Sequence, residues 1–264
     1  MDYNRSIIVI SENDNHAKLF TQLEPIRLSQ GKGLAIKSIF HGTVYNISKN
    51  NNKVHYQITP IGKSFNETSS NEIISQYLTI PEGNYPDTQS ILDTITTLFS
   101  ELFDDGKNIR LPIPKFETVQ TRKTNTIKIT VTNLRIQVSN RRETPWTLLN
   151  IFNDITEENV IKIDNINFSE QVIPSFLYVN IVENSYINGK LSRNLSTIPL
   201  KLSRGWSFYE FNKPLYAPID VQEFSKIVLE IRDVNGKYIT FDTNFVTIIT
   251  LHVNTINTES EMNK

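Results

Sequence analysis

Short runs of β-branched and aromatic residues, separated by turn residues, recur along much of this chain, and that pattern predicts strands. The clearest runs lie late, at 176–182, 198–202, 206–211, 227–231, 238–241 and 245–253, and they are rich in Val, Ile, Phe, Tyr and Thr. Turn residues separate them, and no helical period intervenes. Runs of this length, spaced by roughly 8–12 residues, mark a β-sandwich or barrel.

The earlier part continues the pattern. A first strand is predicted over 6–10, and a short edge-like strand over 25–28, because Pro25 cannot donate to a ladder. Gly31 and Gly33 mark a turn. Residues 34–47 read as one long strand or a bent pair, broken by a bulge near His41-Gly42. Strands over 54–58 and 73–80 flank a polar loop at 64–71. Strict alternation over 126–131 and 134–138 predicts a hairpin or two consecutive strands, after an irregular connection through Asp104-Asp105-Gly106, Pro112 and Pro114. Asn235-Gly236, between two apolar runs, is the strongest hairpin signal, and Asn188-Gly189 is a second candidate turn.

The period changes in the middle. After Pro86, Asp87 can cap a helix over 87–103, whose apolar residues Ile91, Leu92, Ile95, Leu98, Phe99, Leu102 and Phe103 share one face. A second helix is predicted over 145–153, with Thr144 as N-cap and Pro145 in the first position. Residues 254–264 are polar and unpatterned and are expected to form a flexible tail. No solenoid, propeller or heptad repeat is present.

The chain has 264 residues, so one domain over 1–253 with helical insertions near 87–103 and 145–153 is the expected organisation. Lys and Arg total 27 against 28 Asp and Glu. A balance this even predicts no specific nucleic-acid binding. The chain has no cysteine, which removes disulfides and thiolate chemistry. The apolar run at 7–10 is too short for a secretory segment or a membrane span, so a reducing intracellular origin without membrane insertion is expected. The sequons at Asn46, Asn66, Asn167 and Asn194 are then expected to stay unmodified.

Candidate chemistry is sparse. Gly62-Lys63-Ser64 has Gln57 where a phosphate loop needs glycine, and Gly31-Lys32-Gly33 has Ile36 where a dinucleotide loop needs its third. His16, His41, His55 and His252 form no close ligand pair. Glu183, Glu210, Glu230 and Asp233 lie on or beside the late strands, where a glycosidase pair would have no diagnostic spacing and solvent-facing alternation explains them better. Trp146 and Trp206 offer sugar-stacking rings but fit core or interface anchors better. Arg122-Lys123 and Arg141-Arg142 are the only basic concentrations and read as solvated loops. No catalytic, cofactor-binding or metal-binding residue is assigned, and no cofactor or enzymatic activity is expected.

Taken in order, the blocks resemble the penton, or minor capsid protein, of the polinton, adintovirus and virophage group. Leu23-Glu24-Pro25-Ile26-Arg27-Leu28, Gly33-Leu34-Ala35-Ile36 and Tyr45-Asn46-Ile47 are similar to that family's opening. Leu78-Thr79-Ile80-Pro81-Glu82-Gly83-Asn84-Tyr85 before a helix is similar to its next block. Thr147-Leu148-Leu149-Asn150-Ile151-Phe152 occupies the place of its short Leu-Gly-Phe helix without that glycine. Leu177-Tyr178-Val179, Pro214-Leu215-Tyr216-Ala217-Pro218 and Thr250-Leu251-His252-Val253 resemble later elements. Arg193 stands where the family has Leu-Leu-Arg, without the two leucines. The resemblance implies an all-β fold, a single jelly-roll β-sandwich of two antiparallel sheets. It further implies a homopentamer at an icosahedral vertex, located in the virion and meeting the major capsid protein of the same particle. The alternatives are a double jelly-roll major capsid protein, a jelly-roll carbohydrate- or receptor-binding module, and a jelly-roll glycosidase.

Overall fold

The computed structural model describes residues 5–11, 17–28, 31–58, 74–103, 114–120, 125–132, 134–138, 144–156, 159–187 and 189–256. Two compact units divide the chain: residues 1–45 with 170–264, and residues 46–169. The span expected as one domain runs through both units, and both predicted helical segments lie inside the second.

Three strands open the first unit: β1 (Arg5–Ile10), β2 (Lys18–Arg27) and β3 (Lys32–His41). The chain then builds the second unit from β4 (Lys53–Ile58), β5 (Ile74–Thr79), α1 (Thr88–Phe103), β6 (Lys115–Gln120), β7 (Asn125–Thr130), β8 (Leu134–Gln137) and β9 (Ile161–Asp164). It returns to the first through β10 (Val172–Val179), β11 (Ser185–Ile187), β12 (Lys190–Ser192), β13 (Asn194–Lys201), β14 (Ser207–Glu210), β15 (Ala217–Pro218), β16 (Glu223–Arg232) and β17 (Ile248–Thr255).

In the first unit one sheet has the order β1-β17-β3-β14, with β15 also on β3, and the other has β13-β10-β16-β2, all antiparallel. Count the eight long strands along the chain, leaving out β11, β12 and β15, and the orders become 1-8-3-6 and 5-4-7-2. Consecutive strands fall in opposite sheets except the fourth and fifth, which pair with each other, and the first strand pairs with the last. That is the two-Greek-key wiring of a jelly roll, so the predicted fold class is observed.

Alternation explains why these residues make a sandwich. Ile7 and Val9 of β1 pair with Leu251 and Ile249 of β17, which pair with Ile36 and Ile39 of β3, and all six are buried. In the second sheet Leu177 and Val179 pair with Ile231 and Leu229, and Leu229 with Leu19, again all buried. Each sheet therefore turns one face inward, and area buried this way contributes about 25 cal/mol per Å².

Several sequence expectations shift by a few residues. The edge strand expected at 25–28 starts at Lys18, and Pro25 falls at a register shift opposite Phe224–Lys226, where its missing N–H costs no ladder bond. The bulge expected near His41-Gly42 lies earlier, at Lys37, where the β17 register jumps from Ser38 to Ile36. Asn254 and Thr255, expected in the tail, extend β17 and pair with Gly33 and Lys32; 257–264 lie outside the described residues.

In the second unit the described strands form two three-stranded sheets, β5-β4-β8 and β6-β7-β9. The strands over 126–131 and 134–138 are consecutive but unpaired with each other, because β7 bonds to β6 and β9 while β8 bonds to β4. The start of α1 is held by a reciprocal cap: Ser90 N–H donates to Asp87 Oδ1 at 2.8 Å, and Asp87 N–H donates to Ser90 Oγ at 3.3 Å. Ile91, Leu92, Ile95 and Phe99 are buried, with Phe99 edge-on to Tyr56 at 5.0 Å, whereas Leu102 is exposed.

The helix expected over 145–153 is a single 3-10 turn, Pro145–Thr147. It stops because Asn150 takes a left-handed φ of 56°. Ile151 N–H then reaches back to Trp146 O at 2.8 Å and Asn150 N–H to Thr147 O at 3.3 Å, a Schellman closure. Thr144 makes no side-chain cap.

Candidate functional site

The candidate chemical groups are each engaged structurally or lie apart. His41 ends β3, while His252 pairs with Ala35 toward that strand's other end and bonds through Nδ1 to the Tyr216 hydroxyl. His55 lies on β4 in the second unit, and His16 lies outside the described residues. Among the described residues no three or more His, Cys, Asp or Glu side chains are placed to hold a metal ion. No helix among them is long and apolar enough to cross a membrane.

His41 is buried, and its Nδ1–H donates to the Gly42 carbonyl at 2.7 Å. Burial lowers its pKa below the ordinary 6.5, with the carbonyl contact opposing that shift. Between the lowered folded value and the unfolded 6.5, the unfolded chain holds more protons, so acidification favours unfolding there. The expected result is a urea midpoint for the roll that falls as pH drops from above 6.5 through that window, with a smaller fall in His41→Gln. Equal pH dependence in the two proteins would remove His41 as the cause.

Glu183 and Glu210 are exposed on the late segments. Glu230 accepts from Arg232 Nε at 3.0 Å and from the Tyr238 hydroxyl at 2.9 Å, with Lys18 Nζ at 3.8 Å. The Arg232 guanidinium stands 4.8 Å from the Tyr238 ring centre and 5.5 Å from that of Tyr178. Asp233 Oδ1 accepts the N–H groups of Asn235 and Lys237, each at 2.8 Å, and Gly236 supplies φ 81° to close the predicted Asn-Gly turn. Glu230 and Asp233 thus fasten a hairpin.

Of the loop candidates, Lys32 of Gly31-Lys32-Gly33 is buried and donates to Thr255 Oγ1. Gly62-Lys63-Ser64, Arg122-Lys123 and Arg141-Arg142 lie outside the described residues. Trp146 is in the core of its unit, fully buried. Trp206 is half exposed, stacked on Phe40 at 4.5 Å and edge-on to Phe245 at 4.9 Å.

That last cluster belongs to the most distinctive surface of the roll. Register places Ile10 of β1 beside Ile248 of β17, Ile248 beside Phe40 of β3, and Phe40 beside Phe208 of β14. One apolar row thus crosses all four strands on the face away from the core. Ile10 is 47% exposed and Phe208 63%, and Ile8, one pleat along β1, is 60% exposed. A solvent face of an antiparallel sheet ordinarily carries polar residues, and contiguous apolar surface of this kind marks a contact.

Sequence reasoning missed this row because it exists only once four distant segments are in register. One local signal was available: Ile7-Ile8-Val9-Ile10 is apolar at both parities, so an edge strand here has no polar face. The second candidate turn, at 188–189, falls between β11 and β12, a hairpin whose Tyr186 and Leu191 are paired and exposed.

No protein-family model matches the chain, and no curated protein does. Among solved structures it is similar to the crystal structure of selenomethionine-labelled mavirus penton protein, at 13% sequence identity and a TM-score of 0.47, over 96% of this chain and 100% of that one. The jelly-roll assignment itself stands on the strand order.

Proposed function

We propose that this chain is a structural, non-enzymatic capsid protein, the penton subunit of a polinton- or virophage-like particle. Five copies close a ring at each icosahedral vertex of the virion and contact the major capsid protein around them. The reading is carried by one observation: the 1-8-3-6 and 5-4-7-2 wiring, a form shared by viral capsid domains, runs through the sequence blocks that resemble the penton family. The whole span 1–253 acts as one capsid subunit in this reading, with its second unit inserted between the third and fourth long strands of the roll.

The two-roll alternative has less support, since, among the described residues, 46–169 contain two three-stranded sheets and a helix where a second roll would need eight strands. Mass photometry and negative-stain imaging of the full chain, alone and mixed with the major capsid protein of its particle, provide the test. Five-fold rings are expected. Trimers with a pseudo-six-fold outline would overturn the vertex assignment.

A further inference from the structure

The two sheets of the roll treat their edges differently. The β13-β10-β16-β2 sheet ends in β2, whose exposed positions include Lys18, Glu24 and Arg27, and in β13, where Lys201 is exposed. Charged edges of this kind discourage a further strand. The β1-β17-β3-β14 sheet lacks that protection over its apolar row. Its β1 edge presents Ile8 and Ile10, and its β14 edge presents Phe208 and Tyr209, all exposed. Among the described residues nothing pairs beyond either edge.

We infer that these two edges are the complementary halves of a head-to-tail contact, in which β1 of one copy packs against β14 of the next; the inference rests on the ring-forming function proposed above. Two observations select a second copy as the occupant. A ring of identical subunits needs two different patches on each subunit, and the same sheet offers two different apolar edges, whereas one foreign strand would need a single edge. Four strands joined by three antiparallel pairings leave β1 and β14 running in opposite directions. A neighbour's β14 therefore arrives antiparallel to β1, and the Ile10–Ile248–Phe40–Phe208 row can continue from copy to copy.

The test uses the full chain and three variants, Ile10→Lys, Phe208→Glu and the double variant, sized by mass photometry, with circular dichroism confirming that each folds. Both positions are exposed, so their replacement leaves the core intact. Each single variant is expected to cut the ring fraction by about tenfold or more, as loss of a central apolar anchor does. The double variant is expected to recover rings, because the head-to-tail contact sets the introduced ammonium of one copy against the introduced carboxylate of its neighbour. Rings that survive both single variants, or a double variant that stays dissociated, would overturn the edge assignment while leaving ring formation standing. A wild-type chain that forms no ring, alone or with its major capsid protein, would remove the underlying function and this inference together.

Discussion

Gly42→Ala is expected to destabilise the roll by about 2–4 kcal/mol, at or beyond the upper end of overpacking costs. A methyl group built on Gly42 would meet Cβ and Cγ of Phe245 closer than real carbon contacts come. The obstacle is the root of a side chain, so a rotamer change cannot clear it. Nor can the backbone easily retreat. Asp242 N–H donates to Thr43 O at 2.9 Å, Tyr45 N–H to Thr240 O at 2.9 Å, and Gly205 N–H to Thr43 Oγ1 at 2.9 Å, which ties 43–45 to the segments on either side. The Phe245 ring is held in turn against Trp206. In a Phe245→Gly background the same substitution should cost little, because the atoms it strikes are gone. Hydrogen exchange over the strands of residues 1–45 and 170–256 would report both costs, and equal losses in the two backgrounds would disprove the clash.

Trp146→Ala is expected to cost about 3–5 kcal/mol in the second unit, the range for deleting a large buried aromatic. The indole is fully buried, yet its Nε1–H has no partner among the described residues. An unpaired buried donor carries a penalty of about 1–3 kcal/mol. Trp146→Phe removes that donor along with part of the ring volume, so its loss should be well under half that of the alanine variant. Exchange rates over 46–169 distinguish the two. A phenylalanine variant as unstable as the alanine one would show that the indole N–H stabilises the fold instead of costing it.

The sequence was most readable where a single segment decides its own state. Runs rich in β-branched and aromatic residues located β1, β4, β10 and β17. The Ile91–Ile95–Phe99 spacing located α1, and the Asn188-Gly189 and Asn235-Gly236 pairs marked turns because both glycines need positive φ. The short turn at 145–147 was misjudged as a helix because the apolar residues around it fit a helical face; the left-handed Asn150 overrode that spacing. The two three-stranded sheets of the second unit were not legible at all, since nothing local in 126–131 says that its partners are 115–120 and 161–164. The apolar row failed for the same reason: Phe40 and Phe208 look like ordinary strand residues until register sets them side by side on the outside.

The wiring of the roll bears on how the protein is made. Residues 46–169 are contiguous, so as the chain leaves the ribosome that unit can close as soon as it emerges. The roll cannot. Arg5 pairs with Val253, so the first strand waits for almost the entire polypeptide before its neighbour exists, and such long-range pairing makes closure slow. During that interval β1, β2 and β3 are synthesised without most of their partners, their backbones open to misassociation. A nascent chain of this design depends on rapid completion or on a chaperone that shields its first 45 residues until the last strand arrives.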